Sequence, residues 1–209
     1  KGVRLGAVRA PVYKNKERDD LLLMAFDEGS IGACVTTTNQ FCAAPVHVLR
    51  THLASTPSVR YWLLNAGNAN AGTGAPGMEA CRQTVSSLAS LTDVSDVAIW
   101  PFSTGVIGEP LPVQSICEAL PKALDACDAS TEAWERASRA IMTTDTYPKL
   151  RHIQCEIGGK TVTLTGMAKG SGMIHPNMAT MFGLVASDVV MSSACMQALL
   201  KQEIGRAHV

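Results

Sequence analysis

Gly166-Met-Ala-Lys-Gly-Ser-Gly-Met-Ile-His-Pro-Asn-Met-Ala-Thr-Met181 is the most informative stretch of this 209-residue chain. Gly166, Gly170, Gly172 and Pro176 punctuate residues 166–177 as a loop. Upstream, 152–157 and 160–165 read as a hairpin turned at Gly158-Gly159, a pair that accepts positive φ. Downstream, 181–190 is apolar and 192–202 has helical spacing. A hairpin followed by a loop, a strand and a helix is not the pattern of a doubly wound parallel sheet. It predicts an α/β chain with α+β layering.

The rest of the chain fits that class. Strands are expected at 4–10, 21–26, 31–38 and 59–64, the third on its β-branched content. A short strand at 97–100 is expected to end at Pro101. Helices are expected at 44–55, 78–91, 113–120 and 130–142, with Ser130 at the start of the last. Residues 65–77 and 103–112 read as loops rich in turn formers. No repeat or low-complexity tract divides the chain.

Composition narrows the function. Eighteen Lys and Arg balance eighteen Asp and Glu, so no global charge draws the chain to nucleic acid or an anionic membrane. Apolar runs such as 59–64, broken by Arg60, are too short to span a bilayer. The five histidines show no metal-ligand spacing, and no metal is expected. The seven cysteines are irregularly spaced with no Cys-x-x-Cys, which predicts reduced thiols in a cytoplasmic setting.

Gly72-Thr-Gly74-Ala-Pro-Gly77 matches the glycine fingerprint of dinucleotide-binding folds, with a strand before it and a helix after. The match is poor. Residues 65–72 intervene where the fingerprint needs almost none, and Pro76 stands where backbone N–H groups would meet phosphate. A tight glycine loop packed between layers is the expected role.

The chemistry concentrates near residue 180. A threonine hydroxyl is a weak nucleophile until a base takes its proton. A threonine that becomes an N-terminus carries its own base, an α-amine of reference pKa about 7.7–8.0. Taken alone, Thr180 reads equally as a strand-start residue, Lys169 as a solvated lysine, Thr104-Gly105 as a turn, and Thr143 as a helix end.

Six stretches together break that tie. Met178-Ala-Thr-Met181, Phe41-Cys-Ala-Ala-Pro45, Asn65-Ala-Gly-Asn-Ala-Asn70, Ser103-Thr-Gly-Val-Ile-Gly-Glu-Pro-Leu-Pro112, Ile141-Met-Thr-Thr-Asp-Thr146 and Pro148-Lys149 run in order along the chain. In this set the sequence resembles the self-cleaving ornithine acetyltransferase family of arginine biosynthesis. The resemblance implies a self-cleaving fold of α-β-β-α layers, here truncated at the C-terminus. It implies cleavage between Ala179 and Thr180, with Thr180 then the nucleophile. It implies an oxyanion hole from Thr104 and Gly105, and substrate contacts from Thr143, Lys169 and Thr180. His175, before Pro176, is expected to make a backbone hydrogen bond rather than to catalyse.

The implied reaction moves acetyl from N2-acetylornithine to glutamate through acetyl-Thr180, without metal or organic cofactor. Acetyl-CoA is an optional second donor. A related self-cleaving aminopeptidase is the alternative. The implied assembly is an α2β2 heterotetramer, with residues 1–179 as α-chain and 180–203 as the start of the β-chain. Residues 204–209, Ile-Gly-Arg-Ala-His-Val, read as a translated DNA-sequencing adapter. The native chain is therefore expected to continue differently beyond Glu203, and the surface around 181–203 to be open and apolar.

Overall fold

The computed structural model describes residues 2–13, 17–170 and 181–203. Strands β1 (Val3–Val8), β2 (Leu21–Phe26), β3 (Tyr61–Asn68) and β4 (Ile99–Val106) form one sheet in that order. The first two pairings are antiparallel, and β3 with β4 is parallel. Strands β5 (Lys149–Ile157), β6 (Lys160–Lys169) and β7 (Phe182–Ser187) form a second, antiparallel sheet. The helices are α1 (Ala44–Ser55), α2 (Gly74–Thr92), α3 (Val113–Asp125), α4 (Thr131–Ala140) and α5 (Ser193–Glu203). The layered α/β class expected from sequence is the one observed.

Strand β2, Leu-Leu-Leu-Met-Ala-Phe, has no polar residue and is buried on both faces. Its alternation sorts the core. Leu21 and Leu23 join Val85 and Leu88 of α2 and Leu120 of α3 on one face. Leu22, Met24 and Phe26 join Trp62, Trp100, Ala137 of α4, and Met167 and Leu184 of the second sheet on the other. The first sheet is thus a slab between the α2–α3 layer and a layer shared by α4 and the second sheet. Burying each such side chain contributes about 1.5–3 kcal/mol.

Helix α1 lies along β4, and its buried His52 donates Nδ1–H to the Ile99 carbonyl at 2.7 Å. That bond occupies an acceptor on the sheet's edge strand. Ser130 caps α4 as expected, its hydroxyl accepting from Ala133 N–H at 3.2 Å.

Several expected boundaries move. Residues 31–38 form no strand: among the described residues their one β-bridge joins Ile31 to Ser58. Strand β4 runs through Pro101 to Val106, so Thr104 and Gly105 lie on a strand end rather than in a loop. Among the described residues β4 pairs only with β3, and such an edge strand tolerates a proline. Strand β3 continues to Asn68 and α2 starts at Gly74, shortening the expected 65–77 loop from both sides. Helix α3 continues past Pro121 to Asp125, and β6 runs on to Lys169. The open surface expected around 181–203 is present in the described part: Val190 is 99% exposed, and α5 buries no residue.

Candidate active site

Strand periodicity presents the central pair. On β4, Trp100, Phe102 and Thr104 share a face, with Trp100 buried in the core between the sheets and Phe102 packed against it. On β6, Met167 and Lys169 share the face turned to the same core. Phe102 meets Phe182 of β7 edge-on at 6.0 Å, joining the two sheets. Two residues beyond these contacts, Lys169 Nζ donates to Thr104 Oγ1 at 3.0 Å. The buried ammonium is pushed below the usual lysine range by loss of hydration, and the carboxylate of Asp145 opposes that shift.

Asp145 organises the neighbourhood. Its side chain is 1% exposed. Oδ1 accepts from Lys149 Nζ and from Gly170 N–H, both at 2.7 Å, and Oδ2 accepts from Thr143 N–H at 3.2 Å. Burial works to raise this carboxyl, but the bonds from Lys149, Gly170 and Thr143 outweigh it and hold it below the usual carboxylate range. One carboxylate therefore ties the segment after α4 to the residue that follows Lys169. Arg18 fixes the same segment from the other side, its guanidinium donating to the carbonyls of Arg139 at 2.6 Å and Met142 at 2.9 Å at the end of α4.

Gly105 has no tolerable substitute. Its φ is +137°, and a Cβ there would stand 2.3 Å from the carbonyl carbon of Gly67. The register between β3 and β4 slips at this point, where Asn68 faces both Thr104 and Val106. Buried asparagines hold the irregularity. Asn65 donates to the Asn68 carbonyl at 2.8 Å and accepts from Ser103 Oγ at 2.6 Å. Asn68 donates to the carbonyls of Glu109 and Pro110 and accepts from Asn70 N–H. Asn70, at φ 46°, donates to the Gly77 carbonyl and accepts from Thr73 Oγ1.

These bonds explain the last of the fingerprint-like glycines. A Cβ on Gly77 would lie 1.8 Å from Thr73 Oγ1 and 2.6 Å from Asn70 Oδ1. The start of α2 is built around the Asn70 side chain.

Of the residues singled out from sequence, the structure brings Lys169 onto Thr104 and ties Thr143 to the residue after Lys169 through Asp145. Thr180, Ala179 and His175 lie outside the described residues. The described chain leaves the second sheet at Gly170 and re-enters at Met181, and Lys169 and Phe182 are register partners. Sequence reasoning missed Asp145 as an individual residue. It stood inside a quoted motif, and the available signal was its i,i+4 spacing to Lys149. Tyr13 was missed as well. Its ring covers Gly67 beside the β3–β4 slip, and the buried Asp20 carboxylate, accepting from the N–H groups of Ala10, Val12 and Tyr13, holds it there. Among the described residues, no cluster of three His, Cys, Asp or Glu could hold a metal ion, and no helix is long and apolar enough to cross a membrane.

Two packed sheets flanked by helices, with a buried lysine set on a strand-end threonine, define a layered α/β protein with a candidate site between its sheets. The sequence matches the ArgJ family across residues 4–208, and the chain belongs to that family. It is 48% identical to the arginine biosynthesis bifunctional protein ArgJ of Methylococcus capsulatus over 99% of this chain and 49% of that protein. The chain thus spans about half the length of the curated relatives it matches. Among solved structures, it resembles the ArgJ protein of Bacillus halodurans with a TM-score of 0.80 at 35% identity, covering 86% of this chain and 92% of that one. It resembles the ornithine acetyltransferase of Mycobacterium tuberculosis, solved with ornithine, with a TM-score of 0.72 at 27% identity, over 87% and 93% of the two chains.

Proposed function

We propose that the full-length protein is a glutamate N-acetyltransferase that cleaves itself between Ala179 and Thr180 and then carries acetyl on Thr180. The observation that supports this reading most directly is the bond from Lys169 to Thr104, at the base of the connection that contains Thr180. The lengths of the relatives support it too. The solved Bacillus chain is almost wholly covered by this one, whereas the curated relatives are about twice as long. A polypeptide of half length is what a cut near residue 180 would leave.

In the cleavage step, Thr180 Oγ attacks the Ala179 carbonyl. The peptide nitrogen leaves as the Thr180 amine, and water splits the resulting ester to leave Ala179 a carboxylate. In transfer, that amine takes the hydroxyl proton as Oγ attacks the acetyl carbon of N2-acetylornithine. The Thr104 hydroxyl and Gly105 N–H stabilise the oxyanion. Ornithine leaves as the amine with the returned proton. Glutamate's neutral α-amine then attacks the ester carbonyl, Thr180 Oγ leaves, and the proton given up by that amine passes through the Thr180 amine to restore the hydroxyl. Thr143 and Lys169 border the substrate.

No metal or organic cofactor enters this scheme, and acetyl-CoA is a second acetyl donor to be assayed. The partner polypeptide is the chain's own second half, in an α2β2 assembly working in the cytoplasm.

Intact-mass measurement of the full-length protein tests the reading. Wild type should give two polypeptides, the second beginning at Thr180, and Thr180→Ala should give one. Wild type should also form N-acetylglutamate from N2-acetylornithine and glutamate. Release of free amino acids from peptide amides without acetyl transfer would favour the aminopeptidase alternative. An uncut wild type that still transfers acetyl would overturn the proposal.

A further inference from the structure

An ammonium has three donors and no acceptor, while a hydroxyl has one donor and two acceptor positions. In the bond from Lys169 to Thr104, the lysine must therefore donate and the Thr104 oxygen must accept. The Thr104 proton is then turned away from the lysine, and positive charge stands directly behind the hydroxyl it polarises. This is the state that a donor to a developing oxyanion requires.

Lys169 is poorly placed for a different task. It is 8% exposed among the described residues, and its Nζ is directed at Thr104, at the end of β4. Its position is also fixed from behind. Asp145 holds the N–H of Gly170 at 2.7 Å, and Asp145 is itself held by Lys149 and Thr143. A lysine that gripped a freely arriving carboxylate would need an accessible head and some freedom to meet it.

We propose that Lys169 is a positioning residue of the oxyanion hole, acting through the Thr104 hydroxyl, and that Asp145 fixes it in that role. This rests on the acetyl-transfer reading above and departs from the direct substrate contact that the family resemblance implied for Lys169. The distinction is measurable, because a group acting through Thr104 loses its effect when the Thr104 hydroxyl is removed.

The test is a double-mutant cycle in the full-length protein, with N2-acetylornithine and glutamate as substrates. Thr104→Val should lower kcat by about 100–1,000-fold, the usual result of deleting an oxyanion donor. Lys169→Met should lower kcat with little change in KM. The double variant should be no slower than the slower single one. Thr104→Ser, which keeps the hydroxyl, should be slowed less than Thr104→Val and remain sensitive to Lys169→Met.

Variants that stay uncut are assayed with residues 1–179 and the chain from Thr180 supplied as two co-expressed polypeptides, and circular dichroism checks their fold. A raised KM in Lys169→Met at unchanged kcat, or kcat losses that multiply in the double variant, would overturn the inference while leaving acetyl transfer standing. A correctly folded wild type with no acetyl transfer would instead defeat the functional reading itself.

Discussion

The two sheets of this molecule are built on opposite terms. Every residue of β2 in the first sheet is buried, whereas β5 at the edge of the second leaves Arg151 to Ile157 exposed. The first sheet has helices α2 and α3 on one face and α4 with the second sheet on the other, so its strands are apolar throughout. The second sheet, among the described residues, gives one face to that body and leaves Ile153, Ile157 and Val185 more than half exposed. The candidate site lies where the two meet, with Thr104 from the fully packed sheet and Lys169 from the half-packed one. The first sheet thus supplies Thr104 and Gly105 from a strand packed in the core, and the second supplies Lys169 from the end of β6.

Leu23→Ala and Ile153→Ala, made in this chain, probe that contrast most strongly. Leu23 is 0% exposed, and truncation should cost about 2–5 kcal/mol in urea unfolding. Ile153 is 58% exposed and should cost less than about 0.5 kcal/mol. Equal losses would mean that the two sheets are packed alike.

Asp145→Asn, at the junction, should cost about 1–3 kcal/mol, because charge-assisted bonds to Lys149 and Gly170 are weakened. The folded-state pKa of Asp145 lies below its ordinary value. Its contribution to stability is therefore present above about pH 5 and is lost as pH falls through the folded pKa. Melting temperatures from pH 7 down to 3 should fall less steeply in Asp145→Asn than in wild type. Parallel curves would remove Asp145 from that role.

The smallest effect is one of reactivity. Burial pushes Cys81 up to about 12, and Cys34 and Cys127 up to about 11, all in the body built on the first sheet. Cys155 on β5 and Cys195 on α5 are exposed. Thiol labelling at pH 8 followed by peptide mapping should modify Cys155 and Cys195 first and Cys81 last. Early labelling of Cys81 would show that the first sheet opens readily.

Legibility from sequence follows the same divide. The spans expected for β2 and α1 are the ones observed, and for β2 the reason is that burial on both faces writes itself into residue type. Residues 31–38 misled, since β-branched content favours a strand only where a partner strand exists, and here only Ser58 meets Ile31. Pro101 misled in the opposite sense, because its harmlessness depends on which side of β4 is unpaired. At the candidate site, Thr104, Gly105, Thr143 and Lys169 were singled out through family resemblance, not through periodicity. Asp145 was not, because the partner that gives it meaning, Gly170, is 25 residues away and becomes visible only once β6 is placed.

The register of β6 against β7 carries one more consequence. Six residue pairs, from Leu164 opposite Ser187 to Lys169 opposite Phe182, zip these strands together. A break in the backbone at Ala179-Thr180 would fall within the connection and leave every one of those rungs intact. The hairpin would then become a seam, sewn from two separate polypeptides by the hydrogen bonds that once folded a single one, and each half would stay docked because parting would strip the ladder bare.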